Sequence, residues 1–136
     1  MTPYRAKATS LPGTRYTEVA PLARALLRSI ARRTKRRPYL RSAYFGKDKI
    51  FFTYFWKHLM QLPRYQRVRR LKYLPCAIEL IRKSRQMPEV YLKRDRPREI
   101  FYRFSGQAPN GPEFAVQIKE NLRTRRKELM SVFPYQ

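Results

Sequence analysis

Aliphatic side chains recur at helical spacing in the first third of the chain. They fall at intervals of four residues and predict an amphipathic helix over residues 17–33. These side chains are Leu22, Leu26 and Ile30. Pro21 suits the first turn of a helix better than its middle, so we place the start of this helix at residue 20 or 21. Before it, residues 1–16 show no clear period and are interpreted as an arm or lead-in.

A second stretch with helical spacing covers residues 49–62, and Pro63 ends it. Its apolar side chains share one face of the helix: Phe51, Phe55, Leu59 and Leu62. The Arg-rich residues 64–72 then predict a short helix or turn with a solvated cationic side. Pro75 suits the first position of a third helix, which we extend to about residue 85.

After Pro88, the helical spacing gives way to short segments in which apolar and polar residues alternate. Turn residues and an Asn-Gly pair divide this part of the chain into strands. The predicted strands cover residues 89–94, 98–104, 113–119 and 128–133. The whole pattern predicts an α+β fold in which N-terminal helices are followed by a four-stranded antiparallel sheet. We divide the chain into a basic N-terminal arm plus helix, residues 1–40, and an α+β core, residues 41–136.

The net charge narrows the class of partner. The 136 residues include 32 Lys and Arg against nine Asp and Glu, which gives a formal charge of +23. Such an excess destabilises the compact state and is typical of proteins that bind a polyanion; we expect nucleic acid, and RNA in particular. An anionic membrane surface is the second candidate, and the acid-poor N-terminus also fits a mitochondrial presequence. We expect no transmembrane segment, because no apolar stretch approaches the ~20 residues that one needs.

Cysteine usage adds little to this picture. Cys76 is the only cysteine, which excludes an internal disulfide, and we interpret it as a small core residue. A lone thiol is compatible with a reducing compartment, and we expect a cytoplasmic protein. Hydrophobic residues make up 43% of the chain, so a wholly disordered basic tail is excluded.

Three cationic stretches are the candidates for phosphate contact. They lie at the end of the first helix, in the Arg-rich segment after Pro63 and in the turn before the last strand. Cations at the end of a helix are also favoured by the helix dipole, so a purely structural role for the first stretch stays open. Lys119, in the predicted strand 113–119, is added to the cations of these stretches. The nucleic-acid-binding candidates are then Arg32, Arg33, Lys35, Arg36, Arg37, Arg64, Arg67, Arg69, Arg70, Lys119, Arg123, Arg125 and Arg126.

The lone histidine, His58, is the candidate for chemistry. On a helix that turns about 100° per residue it falls at the rim of the apolar face, beside Phe51 and Leu62. A group at such a rim is partly desolvated and still reachable by a phosphate, which suits a general acid or base. A half-buried histidine that only bonds a carbonyl produces the same pattern. RNA supplies its own nucleophile, the 2′-OH, so its cleavage needs a base, an acid and cations.

The sequence offers little for a metal or a cofactor. One His, one Cys and no close pair of acids leave few ligands for a metal site, and we expect none. With four glycines in all, neither a glycine-rich phosphate loop nor a nucleophile elbow is present, and we expect no cofactor.

The order of parts resembles the barnase–colicin–RelE-like ribonuclease superfamily over residues 45–134. The matching features are a helix with the pair Lys57–His58, an Arg-rich stretch, a short helix behind a proline, and a terminal strand with Ser131. Members of this superfamily are small metal-independent ribonucleases of toxin and phage-associated type. The resemblance implies that Lys57, His58 and Ser131 are catalytic, and that either Arg103 or Lys119 is the cation on the sheet. We include Arg103 in the catalytic set and keep Lys119 among the nucleic-acid-binding candidates.

Two functions follow as expectations. The first is a metal-independent endoribonuclease that uses 2′-OH attack and leaves a 2′,3′-cyclic phosphate; the resemblance then implies an acidic immunity or antitoxin protein as a second partner. The second is a non-catalytic RNA- or DNA-binding protein of ribosome-associated or packaging type. Both explain the charge of +23 equally well, and they stay open at this point.

Overall fold

One mixed sheet of seven strands forms the framework of the protein. The computed structural model describes residues 2–135. In chain order its elements are β1 (Tyr4–Arg5), α1 (Tyr16–Arg32), β2 (Tyr39–Arg41), β3 (Lys49–Phe51), α2 (Thr53–Met60), α3 (Arg64–Leu71), α4 (Leu74–Lys83), β4 (Glu89–Lys93), β5 (Arg96–Gln107), β6 (Glu113–Asn121) and β7 (Lys127–Pro134). The strands lie in the order β1-β5-β6-β7-β3-β2, and β4 also pairs with β5.

The prediction of N-terminal helices followed by a four-stranded antiparallel sheet is wrong. The chain is α+β, but a strand precedes the first helix, and three strands from the first half of the chain join the sheet. Two of them pair in parallel, β1 with β5 and β3 with β7. These strands have two or three residues each, which is too short for an alternating pattern to reveal them.

The second predicted helix divides into a strand and a helix. Residues 49–51 form β3, and α2 begins only at Thr53. Leu40 and Ile50 are buried partners in the β2–β3 hairpin, and Ile50 also pairs with Lys127 of β7. The run of apolar residues alone does not distinguish a strand from a helix, so this division depends on the distant partner strand.

The core lies between the helices and one face of the sheet. Alternation along β6 directs Phe114, Val116 and Ile118 into it, and Leu129 and Val132 of β7 join them. Cys76 is fully buried in the same cluster, as the sequence predicted. Within residues 2–135, none of the helices combines the length and the apolar character that crossing a membrane requires.

The segment before α1 is fastened to α4 by Glu79. The Tyr4 hydroxyl and the backbone N–H groups of Lys7 and Ala8 all donate to this carboxylate, at 2.6, 2.9 and 2.8 Å. Ala6 is buried against the core. Residues of the predicted arm are therefore packed on the rest of the protein, while the division of the chain at residue 40 stays a prediction.

Candidate active site and nucleic-acid interface

The second face of the sheet is polar and cationic. In β6, Gln117 and Lys119 alternate with core residues and therefore point away from the core. Their cross-strand partners share this side: Arg103 and Ser131 lie opposite Gln117, and Phe101 lies opposite Lys119. We define the polar face by Tyr91, Lys93, Phe101, Arg103, Gln117, Lys119, Ser131 and Phe133.

A bulge in β7 shapes this face. Gln117 pairs with Ser131, whereas the next residue of β6, Ile118, pairs with Leu129, so Met130 is left without a partner. The extra residue restores Leu129 to the core side while Ser131 stays on the polar side. Because of the bulge, Leu129 and Val132 contribute to the core while Ser131, which lies between them, contributes to the polar face.

Gln117 is the centre of a buried hydrogen-bond network. Its side-chain amide has a guanidinium on one side and a hydroxyl on the other. In the orientation that pairs every donor with an acceptor, the amide oxygen accepts from Tyr91 Oη at 2.6 Å and from both Nη2 and Nε of Arg103, at 3.1 and 3.2 Å. The amide nitrogen then donates to Ser131 Oγ at 2.9 Å. The network fixes Arg103 in place through groups that solvent barely reaches.

Aromatic rings and cations alternate across the polar face. The Arg103 guanidinium lies 5.4 Å from the ring centre of Tyr91 and 6.0 Å from that of Phe133. The Arg70 guanidinium, from α3, lies 5.6 Å from the ring centre of Phe133, so this ring has two arginines beside it. Lys93 Nζ is 4.5 Å from the ring centre of Phe101. Phe101 itself is fully buried, whereas the partly exposed Tyr91 and Phe133 hold their cations where a phosphate can approach.

His58 lies at the edge of the polar face, on α2. Its imidazole stacks on the Tyr54 ring one helical turn earlier, with 5.6 Å between the ring centres and 14° between the planes. Lys119 Nζ lies 3.5 Å from the ring centre of Tyr54. Tyr54 therefore connects the histidine to the polar face, and His58 itself is half-buried.

Burial lowers the pKa of His58 below its ordinary value of 6.5, and the positive charges of Arg70, Lys119 and Lys93 lower it further. These three cations come from α3, β6 and β4, so the histidine faces charge from three separate elements. The imidazole is consequently neutral at pH 7. A neutral imidazole is a proton acceptor.

Arg70 is an unusual cation within this group. Burial lowers its pKa, as does the neighbouring charge of Arg69, but a guanidinium stays protonated at neutral pH. Its Nε is buried and has no hydrogen-bond partner among residues 2–135. A buried donor without a partner costs free energy, so this part of the site is destabilised in the free protein.

The three residues of the predicted catalytic set other than His58 have different surroundings. Lys57 is exposed and lies about 100° round α2 from His58. Ser131 is 3% exposed and its hydroxyl contacts Gln117. Arg103 is half-buried on the polar face. Of the two alternatives for the cation on the sheet, both Arg103 and Lys119 lie on this face, and Lys119 also pairs with Glu99 at 3.4 Å.

The predicted nucleic-acid-binding residues fall into separate regions. Arg32, Arg33, Lys35, Arg36 and Arg37 are exposed at and beyond the end of α1. On α3, Arg64 and Arg69 are exposed, whereas Arg67 donates to the carbonyls of Leu62 and Met60 and so closes the end of α2. Arg123, Arg125 and Arg126 form the β6–β7 turn, where Arg125 pairs with Glu120 and Arg126 with Glu128.

Six residues of the site were not identified from the sequence: Tyr54, Tyr91, Lys93, Phe101, Gln117 and Phe133. The alternation in β6 contains a signal for Gln117, because a polar residue between two core positions must point to the other face. Tyr91 belongs to β4, where a register shift between Tyr91 and Lys93 obscures the alternation. Tyr54 follows from His58, since residues four apart on a helix are neighbours.

Within residues 2–135, no group of three or more His, Cys, Asp or Glu side chains is placed to hold a metal ion. Comparison with models of known protein families, with curated proteins and with solved structures gives no match.

Proposed function

We propose that the protein is a metal-independent endoribonuclease whose base is His58. One observation supports this above the others: a half-buried histidine with a lowered pKa stands among three cations, one of which has a buried donor without a partner. A proton acceptor inside a site built for an anion is what cleavage of RNA by its own 2′-OH requires. The resemblance to the barnase–colicin–RelE-like ribonucleases agrees with this proposal.

The reaction assigns each group a step. Neutral His58 takes the proton from the 2′-OH, and the 2′-oxygen attacks the adjacent phosphorus. The bond from phosphorus to the 5′-oxygen breaks, which leaves a 2′,3′-cyclic phosphate and a 5′-hydroxyl. The proton that His58 accepted is finally transferred to the leaving 5′-oxygen. An imidazolium beside Arg70 and Lys119 is disfavoured, which promotes this return of the proton.

The cations stabilise the phosphate while its charge grows. Arg70 supplies positive charge from α3, and Lys119 and Arg103 supply positive charge from the sheet. Ser131 and Gln117 act through Arg103: they are too buried to meet the substrate and instead fix the guanidinium. We therefore assign Ser131 and Gln117 as positioning residues. The exposed Lys57 contributes positive charge close to the base.

The test is incubation of the purified protein with RNA in EDTA. We expect cleavage with 2′,3′-cyclic phosphate ends, and no cleavage of DNA, which has no 2′-OH. His58→Ala should abolish cleavage and leave RNA affinity nearly unchanged, because one neutral side chain adds little to binding by 32 cations. Tyr65→Ala, an exposed ring on α3, is the matched control and should cleave like the parent. Lys57→Ala and Ser131→Ala should each reduce the rate by a smaller factor.

The pH profile adds a second readout. Because His58 acts in its neutral form and its pKa is lowered, the rate should rise with pH, reach half its maximum at a pH below 6.5 and level off at higher pH. His58→Ala protein that cuts as well as the parent would show that the base is another group. Ser131→Ala should change the rate and leave the midpoint in place, since Ser131 acts on Arg103 rather than on the proton.

A non-catalytic RNA- or DNA-binding protein, of ribosome-associated or packaging type, is the second candidate. The observation that favours it is the spread of cations beyond the polar face, at the end of α1 and in the β6–β7 turn. Parent protein that binds RNA tightly and releases no cleaved product over a range of pH and ionic strength would establish this function instead.

A toxic ribonuclease needs a neutralising partner, and we propose an acidic immunity or antitoxin protein in the cytoplasm. A surface of charge +23 attracts an acidic protein and speeds its association. Expression of the parent protein in a bacterial host should arrest growth, and His58→Ala should relieve the arrest. Harmless expression of active parent enzyme would argue against both the toxin and its partner.

A further inference from the structure

A cationic pocket lies at the β2 edge of the sheet, apart from the polar face. It has a volume of about 920 Å³ and is lined by the cations of residues 33–37, by Lys49 and Arg126, and by the rings of Tyr39 and Phe51. We call it the edge pocket. No acidic residue is among those that line it, although Glu128 lies 3.6 Å from Arg126 Nε just beyond.

The pocket is built from the outer face of the β2–β3 hairpin. Leu40 and Ile50 point into the core, so their neighbours Tyr39 and Phe51 must point outward. Tyr39 and Phe51 are cross-strand partners whose ring centres lie 5.8 Å apart. The alternation along β2 and β3 therefore places the Tyr39 and Phe51 rings on the outer face of the hairpin and Leu40 and Ile50 on its buried face.

Each ring in the pocket has a cation beside it. Arg126 lies 3.9 Å from the ring centre of Phe51, and Lys49 Nζ lies 4.8 Å from that of Tyr39. A terminal nitrogen of Arg126, Nη2, is buried and has no hydrogen-bond partner among residues 2–135. Rings and guanidinium planes accept stacked bases, and the cations between them accept phosphates, which is how single-stranded nucleic acid is held without sequence preference.

A short series of contacts connects the edge pocket to His58. Arg126 pairs with Glu128, and Glu128 accepts a hydrogen bond from the backbone N–H of Tyr54 at 3.3 Å. The Tyr54 ring stacks on His58. Arg126, which lines the pocket, is thus connected to the candidate base through Glu128 and Tyr54.

We propose that the edge pocket binds single-stranded RNA beyond the two nucleotides that flank the scissile phosphate and so holds the substrate in place for His58. The inference rests on the proposed ribonuclease function for its purpose, but the binding of RNA in the pocket does not depend on cleavage. An acidic protein segment could use the cations and would have no use for the two rings, so we argue for RNA.

The binding test uses a fluorescein-labelled ten-nucleotide RNA and His58→Ala protein, which keeps the RNA intact. Tyr39→Leu should weaken binding about tenfold, the order expected for one stacked base. Arg36→Ala combined with Arg37→Ala should also weaken it, and should lower the slope of log K against log salt by about 1.4, since each contact to a single strand contributes about 0.7. The matched control is Arg5→Ala with Lys7→Ala, which removes two exposed cations at or beside β1, on the opposite edge of the sheet.

Two outcomes of this test would overturn the proposal. One is an equal loss of affinity in the control and pocket variants together with no effect of Tyr39→Leu, which would mean that the cations act only through net charge. The other is a loss of binding to poly-glutamate, without loss of RNA binding, in the pocket variants. That result would assign the pocket to an acidic protein.

A cleavage test separates this proposal from the proposed function. In the protein with native His58, the pocket variants should reduce kcat/KM for the ten-nucleotide RNA about tenfold and leave it unchanged for a dinucleotide, which is too short to reach the pocket. Equal loss for both substrates would overturn the positioning role. If the parent cleaves neither substrate, the ribonuclease proposal fails, and the binding test alone decides whether the pocket holds RNA.

Discussion

Replacement of Glu79 by glutamine should destabilise the whole protein. The carboxylate accepts three hydrogen bonds from the segment before α1, at 2.6 to 2.9 Å. A hydrogen bond to a charged group contributes about 1.5 to 3 kcal/mol, and the glutamine amide keeps one acceptor oxygen while its N–H2 faces donors. We therefore expect a loss of about 3 kcal/mol, a large share of the 5–15 kcal/mol that holds a typical domain folded. In thermal terms this is roughly 10 °C for a chain of this length.

Urea and thermal unfolding followed by circular dichroism measure the effect, and pH adds a check on its cause. Burial raises the pKa of Glu79, but the hydrogen bonds from Tyr4, Lys7 and Ala8 and the charge of Lys83 outweigh it and leave the pKa lowered. A lowered pKa means that the carboxylate stabilises the fold above its unfolded value near 4.5 and ceases to do so as pH falls through the folded value. The gap between parent and Glu79→Gln should therefore close at low pH.

Tyr4→Phe is the control, because it removes one of the three hydrogen bonds and keeps the ring. It should cost about 1.5 kcal/mol at pH 7, the lower end of the range for a hydrogen bond to a charged group. The reasoning fails if Glu79→Gln unfolds within about 0.5 kcal/mol of the parent at pH 7, the range of an ordinary surface substitution. It also fails if the gap persists unchanged at a pH where the carboxylate is protonated.

Three further predictions concern charge and packing. RNA binding should weaken with salt at a slope of about −4 in log K against log salt, as expected for about six phosphates on a single strand, and a flat response in titrations would exclude a polyanion as partner. A non-cleavable 2′-deoxy oligonucleotide should raise the pKa of His58, because its phosphates offset Arg70, Lys119 and Lys93; NMR titration of the imidazole with and without the oligonucleotide measures this, and an unmoved pKa would remove His58 from the site. Gly106→Ala should lower the free energy of unfolding in urea by about 2 kcal/mol, because the new Cβ would collide with the buried Phe114 ring. A second change, Phe114→Leu, should reduce that penalty, and an unchanged penalty would place the strain elsewhere.

Long periodic segments were predictable from the sequence. The helix expected over residues 17–33 corresponds to α1, Tyr16–Arg32, and the strand expected over 113–119 corresponds to β6, Glu113–Asn121. The start that we placed at residue 20 or 21 is wrong, because α1 begins at Tyr16 and Pro21 lies inside it. Each of these two elements repeats one spacing of large apolar side chains over most of its length, so the local signal agrees with the tertiary structure.

The short strands were not predictable in this way. β1 has two residues, and its partner β5 comes about a hundred residues later. β3 looks like the start of a helix until β7 is known to lie beside it. Pairings of this kind depend on the geometry of the whole sheet, which no window of the sequence contains.

The residues of the candidate site also differ in how far the sequence predicts them. Helical projection indicates a partly buried His58, although Phe51 and Leu62, which it placed beside the histidine, lie outside α2. Strand alternation contains the position of Gln117. The approach of Arg70 to His58 depends on how α3 packs on β7, and no spacing in the sequence encodes it. Residues brought together by packing of separate elements are therefore those that sequence reasoning cannot assemble.

The position of β7 in the sheet has a consequence for how the protein is made. This strand lies between β6 and β3, and α2 and α3 also pack on it, yet it is the last element of residues 2–135 to be synthesised. Until β7 is present, the β2–β3 hairpin and the helix with His58 have no sheet to join, and Ser131 and Phe133 do not yet exist. A growing chain therefore has no complete polar face, and an activity directed at RNA would begin only after the ribosome had finished this strand.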